Sequence, residues 1–362
     1  MTSVGRRLGL GLAAAALTQV GASASNRQDE PQPGPAAGTP GAYVPPPAMR
    51  PAPAALREQI IARSRAFDGK AGVAIVSLRD GWEIDWNANT LFPQQSCSKL
   101  WVSITALDAV DRGQVKLTDK VTLGRSDLTL FHQPIAEKIL GGGHTTTLGA
   151  LMFTAITESD NTANDKLMRS VGGPQAVRDV IARKGLGSIR FYNGERALQS
   201  KIAGLIWSPS FSIGNAFYQA RNALPMSVRR AAFERYISDP YDGASPHAIA
   251  NALARLKRGE LLSPASTQRL LAIMGQTRTG KMRVRAALAP GWDWNHKTGT
   301  GQVLNGRIGG INDIGLLTAP DGTVYAMAIM TIPNRSDGSA QALMQDVTKA
   351  VIAAHQARAR GY

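Results

Sequence analysis

Ser96 and Lys99 stand three positions apart in the stretch FPQQSCSKLW, at the predicted start of a helix. Residues with this spacing lie on one face of a helix, within reach of each other. A lysine that is buried near other positive charge can become neutral and act as a base for a neighbouring hydroxyl. The unpaired N–H groups of a first helical turn could also stabilise an oxyanion. The spacing therefore indicates a serine nucleophile with a lysine base, although an N-capping serine with a solvated lysine would look the same.

Two further short motifs follow in chain order. TESDNTAND contains Ser159-Asp160-Asn161, and NHKTGTG contains Lys297-Thr298-Gly299. Alone, the first could be a helix cap or turn and the second a loop with a solvated lysine. Ser-x-x-Lys, Ser-Asp-Asn and Lys-Thr-Gly in this order are the signature of class A β-lactamases and penicillin-binding proteins. The chain therefore resembles a class A serine β-lactamase from about residue 56 to 356, interrupted by one long insert.

The resemblance implies a role for each reacting residue. Ser96 would attack the lactam carbonyl to give an acyl-enzyme, and Lys99 would help to remove its proton. Ser159 would relay a proton to the departing lactam nitrogen. Asn161 would hydrogen-bond the amide of the substrate's side chain.

The third motif is implied to bind the substrate's carboxylate. Lys297 would attract this group and Thr298 would hydrogen-bond it. Gly299 would keep side chains away from a strand that runs along the substrate, and the backbone N–H of Thr300 would be the second oxyanion donor. Arg307, just after this strand, could add positive charge for the carboxylate, although an ordinary surface arginine would look the same in the sequence.

Deacylation in this family needs a glutamate that activates water. RFYNGERALQS has the spacing of the family's loop, so Glu195 is the candidate base, with a plain surface glutamate as the alternative. Gln199 stands where asparagine is usual, which places a longer amide beside the water. Tyr192 and Asn193 replace the usual Asp and Arg, so the salt bridge that normally braces the loop is missing.

The insert, at about residues 200–242, is aromatic, amphipathic and rich in arginine, and it is predicted to form one or two helices beside the site. It could be a lid, a grip on a polymeric substrate, a partner surface or added packing.

Phe131 or His132 falls where the family has an aromatic residue at the cleft entrance. Cys97 points away from its neighbour Ser96 on a helix, so we predict that it is buried in the core.

The elements that must position these residues differ along the chain. Alternating patterns predict strands at both ends, with turns at Asp80-Gly81 and Asp321-Gly322. Helices are predicted at 55–65 and 340–358, and residues 96–274 have helical patterns only. The predicted fold class is an α/β layer plus an all-α part, and the resemblance implies a β-lactamase/transpeptidase-like antiparallel sheet flanked by helices, with an inserted helical domain.

The predicted domains are a signal peptide, 1–24, a Pro/Ala-rich disordered linker, 25–54, an α/β domain, 55–93 and 276–362, and a helical domain, 94–275. A basic front, an apolar stretch and small residues at Ala22 and Ala24 indicate cleavage after Ala24. We therefore expect a periplasmic or secreted protein. The apolar stretch is too short for a comfortable membrane span, so none is expected in the mature chain.

Composition narrows the function classes further. The 362 residues carry 41 Lys and Arg against 26 Asp and Glu, a net charge of +15, but no zinc-finger spacing, RNP-like run or long basic block supports nucleic-acid binding. The five histidines lack metal-ligand spacing, so no metal or other cofactor is predicted. A single cysteine excludes an intramolecular disulfide. The expected partner is a small β-lactam, with peptidoglycan as a second, and the expected state is a monomer.

The sequence thus predicts an exported serine β-lactamase. A D-alanyl-D-alanine peptidase or related serine hydrolase would use the same acylating groups with slow deacylation. A non-catalytic cell-wall-binding module that kept the pocket is the alternative outside the enzymes.

Overall fold

The computed structural model describes residues 51–359. The strands in this part are β1 (Gly69–Ser77), β2 (Glu83–Trp86), β3 (Phe92–Pro93), β4 (Lys120–Leu123), β5 (His144–Thr147), β6 (Gly243–Ala244), β7 (Asp293–Thr300), β8 (Val303–Leu304), β9 (Arg307–Ile308), β10 (Ile311–Thr318) and β11 (Val324–Pro333). The helices are α1 (Ala54–Arg65), α2 (Lys99–Asp111), α3 (Ala136–Leu140), α4 (Leu148–Thr157), α5 (Asn161–Ser170), α6 (Gly173–Arg183), α7 (Glu195–Ile202), α8 (Ala216–Ala223), α9 (Met226–Ser238), α10 (Pro246–Lys257), α11 (Pro264–Gly275) and α12 (Ser339–Ala359). Short 3₁₀ turns cover Gln95–Ser98, Arg125–Asp127, Pro209–Ser212 and Val284–Ala287.

One antiparallel sheet has the order β2-β1-β11-β10-β7. Strand side chains alternate between the two faces, and along β11 they enter two different cores. Tyr325, Met327 and Ile329 pack with α1 and α12, whereas Ala328 and Met330 pack with the helices of the middle of the chain. The sheet is therefore covered on both faces, which explains why every residue of β11 is buried.

Both predicted turns are confirmed. β1 and β2 pair across Asp80-Gly81, and β10 and β11 pair across Asp321-Gly322. The second residue of each turn has positive φ, 73° for Gly81 and 81° for Gly322, a conformation that glycine adopts without a steric penalty.

The prediction that residues 96–274 contribute helices only is wrong. β4 pairs with β5, and β6 pairs with β3. Thr145, Thr146 and Thr147 form most of β5, and the β-branched threonine favours extended backbone over helix. The helical pattern predicted for this range is also interrupted, because α4 ends at Thr157 and α5 begins at Asn161.

Several predictions fall at or beyond the limits of the described chain. The predicted signal peptide and nearly all of the predicted linker lie outside the described residues. The described residues belong to one compact unit, so the division into an α/β and a helical domain stays a prediction. Within residues 51–359, no helix combines the length and apolar character that a membrane span needs.

Candidate active site

The 3₁₀ turn Gln95–Ser98 places Ser96 directly before α2, whose first residue is Lys99. The Lys99 side chain is fully buried, and its Nζ donates to Ser96 Oγ at 2.8 Å and to Asn161 Oδ1 at 2.9 Å. The same Nζ forms an ion pair with Glu195. One ammonium thus contacts the predicted nucleophile, the predicted deacylating carboxylate and the amide of the second motif.

Ser159 lies in the break between α4 and α5 with a φ of 63°. Asp160 caps α5, since its Oδ1 accepts from Ala163 N at 2.8 Å, so the cap reading of this motif is correct for Asp160. The cap and the break point Ser159 at the third motif, and Lys297 Nζ donates to Ser159 Oγ at 2.9 Å. Burial first, and then the charge of Lys99, lower the pKa of Lys297 to about 7.

These groups surround a cavity of about 510 Å³. The predicted site residues that line it are Ser96, Phe131, His132, Ser159, Asn161, Gln199, Thr298 and Thr300. Lys99, Glu195 and Lys297 are buried beside the cavity. Lys99 contacts the cavity residues Ser96 and Asn161, and Lys297 contacts Ser159, whereas Glu195 contacts Lys99 and the cavity residue Gln199.

Gly299 fits a close approach of β7 to the turn that carries the nucleophile. A Cβ at this position would lie 2.3 Å from the backbone oxygen of Gln94. A side chain here would therefore push β7 away from Ser96 and open the cavity.

Arg307 is not among the residues that line the cavity. Its guanidinium pairs with Glu234 of α9 at 3.0 Å instead. The positive charge at the β7 edge comes instead from Arg283, which donates to Thr300 Oγ1 at 2.6 Å and to the backbone oxygen of Gly299 at 3.0 Å. The sequence analysis missed Arg283, although the basic run TRTGKMRVR before β7 could have suggested a cation there.

Glu195 is the first residue of α7, and its position is fixed from two sides. Its backbone N donates to Asp165 Oδ1 at 2.9 Å, and burial followed by the charge of Glu195 raises the pKa of Asp165 to about 6. One turn later, Gln199 Nε2 donates to Glu195 Oε2 at 3.2 Å. Gln302 Nε2 in turn donates to Gln199 Oε1 at 3.0 Å, so the longer amide is held against the carboxylate.

A buried network braces the nucleophile's turn from behind. Gln95, with a φ of 54°, donates its backbone N to Asp242 Oδ2 at 2.8 Å. The Tyr236 hydroxyl donates to Asp242 Oδ1 at 3.0 Å and accepts from Gln95 Nε2 at 2.7 Å. Burial raises the pKa of Asp242 to about 7. Gln199 Nε2 also donates to Gln95 Oε1 at 3.1 Å, which joins this network to Glu195.

Sequence reasoning missed this brace. It noted that the loop carrying Glu195 lacks the usual salt bridge, but it did not identify the contacts that connect Glu195, through Gln199, to the network around Gln95. Tyr236 belongs to α9 of the insert, and the aromatic, amphipathic pattern of the insert was the one available signal.

The insert also forms part of the cavity wall. Tyr218 and Arg221 of α8 line the cavity together with Phe131. Phe217, at 2% exposure, anchors α8 by packing edge to face on Phe131 with ring centroids 4.9 Å apart. Packing is therefore one role of the insert. A lid, a grip on the substrate and a partner surface stay predictions.

Cys97 is buried beneath the site, as predicted. Burial raises the pKa of its thiol to about 12, so it is no competing nucleophile in the folded protein.

Among the described residues, one group of three side chains could hold a cation, formed by Glu83, Asp85 and His247. These residues belong to β2 and α10 and do not line the catalytic cavity.

Comparisons with known proteins identify the family of the chain. A model of the β-lactamase enzyme family matches residues 55–355. Beta-lactamase CTX-M-97 of Escherichia coli is 28% identical over 262 residues, covering 72% of this chain and 76% of that protein. Beta-lactamase VEB-1 of Pseudomonas aeruginosa is 24% identical over 287 residues, covering 79% and 85%.

Solved structures give the same result for the architecture. A β-lactamase from Chitinophaga pinensis has a TM-score of 0.69 at 26% identity, covering 83% of this chain and 99% of that chain. An ancestral class A β-lactamase has a TM-score of 0.65 at 29% identity, also covering 83% and 99%. The predicted fold class is confirmed.

Proposed function

We propose, on the premise that the chain belongs to the β-lactamase enzyme family, that it hydrolyses the β-lactam amide bond through an acyl-enzyme on Ser96. The observation that carries the proposal is the contact of Lys99 Nζ with both Ser96 Oγ and the Glu195 carboxylate. Proton transfer from Lys99 to Glu195 within this contact leaves a neutral amine at 2.8 Å from the hydroxyl. That amine accepts the serine proton as the oxygen attacks.

Acylation forms the bond between Ser96 Oγ and the lactam carbonyl carbon and breaks the amide bond. The departing nitrogen needs a proton, and Ser159 supplies it, while Lys297 Nζ, which donates to the Ser159 oxygen at 2.9 Å, stabilises the negative charge left there. The proton that Lys99 took from Ser96 then replaces the one lost by Ser159, and Glu195 returns its proton to Lys99, which restores the Glu195 carboxylate. Thr298 and Thr300 line the cavity beside these groups and suit the ring carboxylate of the substrate, with the Arg283 charge directly behind Thr300.

Deacylation requires water to attack the ester. Glu195 is the proposed base: it accepts a proton from water as the water oxygen bonds to the carbonyl carbon. The bond to the Ser96 oxygen then breaks, Lys99 gives that oxygen a proton, and Glu195 passes the proton from water to Lys99. The fixed position of Glu195 between Asp165 and Gln199 supports this role.

Hydrolysis of a chromogenic lactam by the wild type, Glu195→Ala and Ser96→Ala tests the proposal. We expect turnover by the wild type, a stable acyl-enzyme in Glu195→Ala, and no adduct in Ser96→Ala, with mass spectrometry locating the adduct on Ser96. Glu137→Ala, at an exposed glutamate of α3, is the matched control and should keep wild-type turnover. An adduct at another residue would overturn the mechanism.

One observation favours a second candidate, a serine hydrolase with slow deacylation. The Gln199 amide donates directly to Glu195 Oε2, and it therefore competes with a water for that carboxylate oxygen. An acyl-enzyme that persists in the wild type, and that clears faster in Gln199→Asn, would support this candidate. Absence of any acylation would instead support a wall-binding module.

We also propose that the protein works outside the cytoplasm, as a monomer. The predicted signal peptide supports export, and a predicted cut after Ala24 gives a mature chain that starts at Ser25. Cell fractionation with N-terminal sequencing checks the first point, and sedimentation checks the second. An intact N-terminus in the cytoplasmic fraction would contradict export.

A further inference from the structure

Arg221 differs from the other arginine that lines the cavity in having no acceptor. Arg283 donates to Gly299, Asn312 and Thr300. Among residues 51–359, no acceptor or ion-pair partner lies on the Arg221 guanidinium, and its Nε is buried without a hydrogen bond. A buried polar donor without a partner is costly and rare in folded proteins. The rest of the guanidinium is only partly buried and lines the cavity, so Arg221 can take a partner from outside the chain.

The surroundings of Arg221 fix its position before any ligand binds. Tyr218 lies one turn earlier on α8, and the Arg221 guanidinium lies 5.3 Å from the centre of the Tyr218 ring and 5.9 Å from that of Phe217. Phe217 packs in turn on Phe131 and on Phe211, with ring centroids 4.9 and 5.7 Å apart. A cation held in this way loses little further freedom when an anion arrives.

The local charge also favours an anion. Burial, and then the charge of Arg229 on α9, lower the pKa of Arg221. The Nε of Arg229 is likewise buried without a hydrogen bond in the described structure. Two neighbouring guanidinium groups without a carboxylate between them repel each other, and a carboxylate bound to Arg221 would relieve the repulsion.

The place of Arg221 in the cavity identifies which part of a substrate it meets. Thr298, Thr300 and Arg283 occupy the β7 end, which suits the ring carboxylate. Asn161 Nδ2 donates to the backbone oxygen of Leu130 at 2.9 Å, so the amide proposed to bind the acyl side chain lies next to Phe131. The Phe131 ring in turn lies beside the ring of Tyr218, with 6.2 Å between centroids, and the Arg221 guanidinium lies over that Tyr218 ring. Arg221 is therefore on the side of the cavity that the acyl side chain would occupy.

We propose that Arg221 is a specificity residue that binds a second carboxylate, carried by the acyl side chain of the substrate. The preferred substrates are then lactams whose side chain joins an aromatic ring, packed on Phe131 and Tyr218, to an anionic group. This inference rests on the proposed function, because it assigns a substrate class to the same cavity.

Benzylpenicillin and its α-carboxybenzyl analogue form a matched pair of probes, since they differ by one side-chain carboxylate. We expect Arg221→Gln to lower the ratio of kcat/KM for the carboxylated over the plain compound by about tenfold to a hundredfold, the range for loss of a charged hydrogen bond. Arg221→Lys should restore part of the ratio because it keeps the charge, and added salt should lower the wild-type ratio.

Arg230→Gln, at an exposed arginine of α9, is the matched control and should leave the ratio unchanged. A ratio that Arg221→Gln does not move would overturn the inference while lactam hydrolysis by the wild type still stands. If the wild type hydrolyses neither compound, calorimetric affinities for both in the Ser96→Gly background, with and without Arg221→Gln, decide the matter. An affinity ratio that falls supports the anion site, and an unchanged ratio or no binding overturns it.

Discussion

Removing the hydroxyl of Tyr236 tests the brace behind the nucleophile. This buried hydroxyl donates to Asp242 Oδ1 and accepts from Gln95 Nε2. In Tyr236→Phe, Gln95 Nε2 keeps the backbone oxygen of Gly309 at 3.1 Å, whereas Asp242 Oδ1 loses its donor inside the core. One buried polar group left unsatisfied costs about 1–3 kcal/mol, and we expect the free energy of unfolding to fall by that amount.

Urea titration followed by tryptophan fluorescence measures the change. Tyr192→Phe is the matched control, because its hydroxyl accepts from the exposed Lys201 at 3.2 Å and should cost less than about 0.5 kcal/mol. We also expect slower acylation in Tyr236→Phe, since Gln95 precedes Ser96. Equal losses in the two variants would refute the reasoning, because burial of the Tyr236 network would then have no energetic consequence.

Three further predictions concern titration and reactivity. The raised pKa of Asp242, about 7, means that the native state holds a proton that the unfolded chain releases between pH 4 and 7. Wild-type stability relative to Asp242→Asn should therefore fall as pH rises through this window, by up to about 1.4 kcal/mol per pH unit, and urea titrations at several pH values check this. The pKa of Lys297, lowered to about 7, predicts that KM for a lactam carboxylate rises between pH 6 and 8 as the ammonium loses its proton; a flat KM in initial-rate assays would contradict it. The thiol of Cys97 should react with a disulfide reagent at least about a hundredfold faster in guanidinium than in buffer, and rapid native labelling would show that the site is open.

The parts of the fold that follow from local chemistry could be predicted from the sequence. The Asp-Gly turns at residues 80–81 and 321–322 need only adjacent residues, and Ser96 and Lys99 need only one turn of helix. The three short motifs identify the family because three such motifs are unlikely to occur by chance in the family's order along one chain. Cys97 could be placed in the core from helical geometry alone.

The features that sequence reasoning missed depend on contacts between distant residues. Gln95 and Asp242 are 147 positions apart, and neither has a local pattern that predicts the other. Arg283 acquires its role only when β7 brings Thr300 beside it. The break at Ser159 replaces a continuous helical pattern because Asp160 caps α5 and accepts from Ile135 N at 2.7 Å, a tertiary bond that outweighs local propensity.

The brace formed by Tyr236 limits how the protein could be shortened. Deletion of α8 and α9 from the insert, to produce a minimal enzyme, would remove Tyr236 and leave Asp242 in the core with the backbone N–H of Gln95 as its one donor among the contacts described above. A truncated design would therefore have to replace Asp242 with an apolar residue in the same step, and would need a new means of holding Gln95 in its left-handed conformation. The extra length is thus tied to the core and cannot be removed as an independent module.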